Sequence, residues 1–92
     1  MTTVAESMRR KLTEALAPTR LAIVDESQRH AGHAGARPEG ETHFRIEIVS
    51  ASFAGLSRIE RQRLVHRVLA TELAGPVHAL SLVAQVPEEG VR

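Results

Sequence analysis

Apolar positions recur along this chain at two periods, one near 3.6 residues and one of two. Val4, Met8, Leu12, Ala15 and Leu16 fall three or four apart and predict a helix over residues 3–17 with one apolar stripe. Thr3 and Glu6 have the spacing of a capping box, in which hydroxyl and carboxylate each take up an amide N–H left open at a helix start. Pro18 ends that helix. Residues 20–25, RLAIVD, are short and rich in branched side chains and predict a strand. Residues 42–51 alternate: Phe44, Ile46 and Ile48 take one face, and His43, Arg45 and Glu47 the other. That is the pattern of a half-buried strand. A second capping box, Ser57 with Glu60, opens another helix, and Ile59, Leu64, Val65, Val68, Leu69 and Leu73 give it a broad apolar face up to Gly75-Pro76. Residues 77–86 predict a last strand with Leu80, Leu82, Ala84 and Val86 on one side.

Between the first two strands lies a stretch rich in Gly, Ala, Pro and polar residues, DESQRHAGHAGARPEGE, long for a hairpin connection. The element order is therefore αββαβ. The first two strands can pair antiparallel, and a strand–helix–strand unit favours a parallel crossover. Three strands leave one apolar face, which two amphipathic helices can cover. The expected fold is a two-layer α+β domain with a three-stranded mixed sheet, one domain over residues 1–92, ordered over about 3–87 with residues 88–92 as a flexible tail.

Composition narrows the chemistry. With Phe44 and Phe53 as the only aromatic residues, the core must be aliphatic. Twelve basic residues against eleven acidic ones leave a net charge of +1, which gives no electrostatic argument for a nucleic-acid or membrane partner. No apolar run approaches the length of a membrane span, and the N-terminus lacks the apolar centre of a secretory signal, so a cytoplasmic location is the expectation. The absence of cysteine removes disulfides, thiol nucleophiles and thiolate ligands together. No serine has the glycine-flanked setting of a nucleophile elbow, Asp25 and Glu26 alternate to opposite faces of a strand, and neither Gly-rich stretch ends in the Gly-Lys-Ser/Thr of a phosphate loop. Enzymatic catalysis is not expected.

Five histidines remain. His66 lies at the edge of the second helix's apolar face and reads as packed or half-exposed, and His43 reads as a strand residue on the polar side. His78 opens the last strand in phase with Leu80 and Leu82, at the rim of the core. His30 and His33 lie in the long connection and, alone, read as exposed loop residues. Topology changes this. If the third strand runs parallel beside the second, its first residue lies level with the start of the second, where the long connection also arrives. His78 is thus expected at the same end of the sheet as His30 and His33, and neutral imidazole is a good ligand for borderline metals. Two or three histidines without a convincing fourth ligand make a poor structural zinc site. Gly32 and Gly35 spell the G-x-x-G of nucleic-acid-clamping loops, but between two strands and not two helices, and are read as coincidence.

Beyond these readings, D-E-S at 25–27, H-A-G-H at 30–33, E-T-H-F at 41–44, I-V-S at 48–50, F-x-G at 53–55, R-x-R-L-V at 61–65 and V-H-A-L at 77–80 together resemble the BolA family, in its order and roughly its spacing over residues 8–87. One position departs: Gln62 stands where the family commonly has a histidine. The resemblance implies a fold similar to a class II KH domain. It also implies a partner, a monothiol glutaredoxin with a C-G-F-S active site, and a [2Fe–2S] cluster shared with that glutaredoxin and glutathione. The resemblance makes His78 one ligand and places the other in the connection after D-E-S, where distance from that motif maps it to His30, with His33 as the close alternative. A cysteine-free chain can serve such a cluster by supplying nitrogen. Two imidazoles on one iron lower its negative charge and raise its reduction potential, and their ligation is pH-sensitive.

The expected function is therefore a non-catalytic adaptor in cluster trafficking or iron sensing, monomeric or weakly dimeric when alone. The alternative is a DNA-binding regulator using Arg58, Arg61, Arg63 and Arg67 of the second helix. At about 100° per residue these arginines split around the helix and do not form one stripe.

Overall fold

The computed structural model describes residues 3–26 and 42–87. Its elements follow the predicted order: α1 (Val4–Leu16), β1 (Arg20–Asp25), β2 (His43–Val49), a 3-10 turn (Ala51–Phe53), α2 (Arg58–Val68), α3 (Ala70–Ala74) and β3 (Ala79–Gln85). The long connection and the tail lie outside the described residues.

Both capping boxes are formed, Thr3 with Glu6 and Ser57 with Glu60. The first helix stops at Leu16, where Ala17 takes a left-handed conformation (φ 43°) ahead of Pro18. The strands form one sheet in the order β1-β2-β3. β1 pairs antiparallel with β2, Asp25 opposite Phe44, and β2 pairs parallel with β3, His43 opposite Ala79. Phe44, Ile46 and Ile48 point from the central strand into a core completed by Met8, Leu12 and Leu16 of α1 and by Val65 and Leu69 of the second helical stretch. Helices thus cover one face of a mixed three-stranded sheet, in two layers as expected.

Three details differ from the sequence expectation. The second helix breaks at Leu69 (φ −101°, ψ 20°) into α2 and α3. No Gly or Pro lies at the break, so its origin is tertiary: Leu69 is fully buried there, and the last turn carries Glu72 to the first helix. Ile59 is not on the apolar face but 58% exposed, because it lies about 120° around the helix from Val65. The strand expected from residue 77 begins at Ala79. That leaves His78 outside the ladder and exposed, where the periodicity placed it half in the core.

Glu72 is a buried charge that ties the helices together. Its Oε2 accepts from Ser7 Oγ at 2.8 Å and faces Lys11 Nζ at 2.8 Å, while Oε1 is buried with no hydrogen-bond partner. Burial pushes the carboxyl up, but the hydrogen bonds from Lys11 and Ser7 outweigh it and leave the pKa below the ordinary value. A carboxyl depressed in the folded state adds stability above its unfolded pKa, about 4.3 for Glu, and loses it as pH falls through the folded value. Urea unfolding followed from pH 7 to pH 3 is therefore expected to show stability falling at the acid end, and Glu72→Gln to flatten that decline. An unchanged acid profile in the variant would remove Glu72 from this role.

Candidate functional site

The site is built at the end of the sheet where β2 begins. Glu26, which follows β1, donates its N–H to the His43 carbonyl at 2.7 Å, and Thr42 precedes β2 directly. Both ends of the connection that carries His30 and His33 are thus anchored at this rim. The parallel pairing brings the start of β3 to the same place. The Thr42 carbonyl accepts from the His78 N–H at 2.7 Å and from the Ala79 N–H at 3.2 Å.

Thr42 is fully buried, and its side chain serves the same rim as its carbonyl. Its Oγ1 lies 2.8 Å from His43 Nδ1, which anchors that ring. His43 is half-buried and His78 exposed, and their ring centres stand 6.3 Å apart with the planes tilted by 31°. One threonine therefore holds two imidazoles: one by its hydroxyl, the other through the main chain.

Among the described residues the strand charge next to this pair is balanced. Arg45, two residues along β2 on the same face as His43, pairs with Glu47. The hydrogen bond between them raises the arginine pKa and lowers that of the carboxylate, and Glu26 adds to the stabilisation of the Arg45 charge. The nearest strand cation is thus compensated, which leaves the rim less hostile to a metal ion than the sequence alone implies.

Of the residues singled out by sequence, His78 is placed at this rim, exposed and fixed by its main-chain bond. His30 and His33 lie outside the described residues. His43, read from the sequence as a solvent-facing strand residue, is the one brought beside His78. The signal that could have found it was its position as the first residue of β2, level with the start of β3. His66 is half-buried, with Nε2 shielded and without a hydrogen-bond partner. Among the described residues no group of three or more His, Cys, Asp or Glu is placed to hold a metal ion.

The four arginines of the second helix divide. The Arg61 guanidinium donates to the carbonyls of Leu56 at 3.0 Å and Ala84 at 3.1 Å, joining the start of α2 to the outer edge of β3. That is a structural role which neither charge nor helical spacing reveals. Arg58, Arg63 and Arg67 are exposed. Arg58 and Arg61 also line, with Leu56, Gln62, Leu82 and Val83, an open groove of about 680 Å³ beside β3.

Residues 12–89 match the family described as BolA-like protein. The chain belongs to the BolA-like family. It is 49% identical over 86 residues to human BolA-like protein 1, covering 94% of this chain and 60% of that protein. The solved structure of BolA1 from Arabidopsis thaliana superposes with a TM-score of 0.85 at 40% identity, over 98% of this chain and 99% of that one. The BolA domain of SufE1 from the same plant gives a TM-score of 0.86 at 42% identity, over 97% and 98%. The chain spans 54–60% of the length of the first curated relatives it matches. Among the described residues of this BolA-like chain no helix is long and apolar enough to cross a membrane. The Arabidopsis relative is named as chloroplastic, so family membership does not fix a compartment.

Proposed function

We propose that this BolA-like chain is a non-catalytic adaptor that pairs with a C-G-F-S monothiol glutaredoxin and co-ligates a [2Fe–2S] cluster, with glutathione supplying a further thiolate. The observation that supports this best is His78. It is an exposed imidazole, held by its backbone to Thr42, at the rim where the segment bearing His30 and His33 leaves and re-enters the sheet. In this reading His78 is one ligand, and His30 or His33 the other.

The donor chemistry fits. The chain has no cysteine, so it can offer a cluster nitrogen but no sulfur, and every thiolate must come from the partner and glutathione. An exposed imidazole on a rigid strand start, with compensated charge nearby, can meet a partner's cluster without first reorganising. Nitrogen ligation is released by protonation, which suits transfer or sensing more than permanent storage.

Reconstitution tests this directly. A C-G-F-S glutaredoxin is loaded with glutathione, ferrous iron and sulfide under nitrogen, with and without this chain. The expected result is a visible absorption and circular-dichroism spectrum that changes to a new form at one equivalent of the chain, together with a 1:1 complex on size exclusion. An unaltered spectrum with no co-elution would sink the proposal.

A further inference from the structure

The pair His43–His78 goes beyond the proposed cluster ligands, because His43 belongs to the sheet and not to the connecting segment. We propose that these two imidazoles form a site of their own for a single borderline divalent cation, Zn²⁺ in the simplest case, in the chain without any partner. It shares only His78 with the adaptor reading and does not depend on it.

Distance is the first argument. Each ring centre lies about 3.2 Å from a zinc ion bound through nitrogen, so two imidazoles on one tetrahedral ion hold their centres about 5 Å apart. The observed separation is 6.3 Å. His78 is exposed, and a swing of its side chain by roughly 30° about χ1 brings the ring centres to that distance.

Positioning is the second. His43 is set by a fully buried hydroxyl, Thr42 Oγ1, at 2.8 Å from Nδ1. When Nδ1 carries the proton and donates to that oxygen, Nε2 presents its lone pair. This is the arrangement by which a second group orients a metal-binding histidine and fixes its tautomer. Coordination is then through Nε2, in exchange for what that atom meets in the metal-free chain. The third argument is charge: Arg45 is compensated by Glu47, and Glu26 leaves β1 at the same rim. With two protein ligands the remaining coordination positions belong to water, so the ion is exchangeable and the affinity modest. Thr42 is the positioning residue of this site.

The test uses the full chain alone, with zinc chloride and no glutaredoxin, iron or sulfide, so its failure is separate from failure of the adaptor reading. Ring nitrogens are followed by long-range ¹H–¹⁵N correlation during the titration. The expected result is that His43 Nε2 and one ring nitrogen of His78 shift together and saturate at one equivalent. His43→Ala and His78→Ala are each expected to weaken binding at least about tenfold, and Thr42→Val by about tenfold. A His30→Ala/His33→Ala double variant is expected to bind as wild type does. The wild-type nitrogen shifts carry the assignment even where a variant folds poorly. Shifts confined to His78 or appearing on His30 and His33, or a well-folded His43→Ala chain that binds as tightly as wild type, overturn the proposal.

Discussion

In the reconstituted mixture, His78→Ala is expected to abolish the spectral change that this chain produces and to return the visible circular dichroism to that of the glutaredoxin with glutathione alone. The effect is expected because His78 is the exposed imidazole that the Thr42 carbonyl holds at the rim through its main chain. The substitution is also clean. His78 is exposed, and its tie to the fold is the main-chain bond from its N–H to the Thr42 carbonyl, which alanine keeps. Surface changes of this kind alter stability by about 0.5 kcal/mol or less, so thermal unfolding of the variant is expected to match wild type. The second ligand of the proposed site is identified in the same assay. Of His30→Ala and His33→Ala, one is expected to lose the spectrum and the other to keep it. Retention of the full spectrum by His78→Ala would remove the central ligand and with it the adaptor reading.

Phe53→Ala is expected to give the largest loss of stability. Phe53 is fully buried and sits on the turn that carries the chain from β2 to the second helical stretch. Its N–H donates to the Ser50 carbonyl at 3.2 Å, and its own carbonyl accepts from Leu56 at 3.1 Å. Ser50 beside it is also buried, and its hydroxyl donates to the last carbonyl of α1, that of Leu16, at 2.6 Å. The ring therefore fills the corner where sheet, crossover and first helix meet. Truncating a buried Phe costs about 3–5 kcal/mol, a large part of the roughly 5–15 kcal/mol that holds a small domain folded. In a domain of this size the melting temperature is expected to drop by more than about 10 °C. Urea unfolding should show a lower midpoint with an unchanged slope. Ile59→Ala is the control: at 58% exposure it is expected to change stability by about 0.5 kcal/mol or less. A Phe53→Ala loss no larger than the control's would mean that the corner is not part of the cooperative core.

Both experiments probe one design, in which a rigid sheet presents a rim and the rim presents imidazoles. The end of β2 is clamped by Ser50 and Phe53, and its start by Thr42. Among the described residues the helices cover one face through a core of aliphatic side chains joined by Phe44 and Phe53, which leaves the sheet's other face and its ends for contact. The buried Glu72 bridge to Ser7 and Lys11 fixes the last helical turn just ahead of His78.

What the amino-acid sequence determined by itself was whatever is local or periodic. Both capping boxes, the alternation of Phe44, Ile46 and Ile48, and the stop at Gly75-Pro76 are set by neighbours within a few residues, and each appears where expected. Topology followed as well, because chain connectivity limits how three strands and two helices can join, and it put His78 level with the start of β2. The tertiary structure alone decided what depends on residues far apart in the chain. Leu69 breaks a continuous apolar pattern, Arg61 spends its guanidinium on a carbonyl 23 positions away, and Glu72 finds Ser7 at a separation of 65. The nearness of His43 to His78 is of the same kind. Periodicity assigns a residue to a face, but only the register of a parallel pair, fixed here by Thr42 accepting from two N–H groups, says which side chains meet at the end of a sheet.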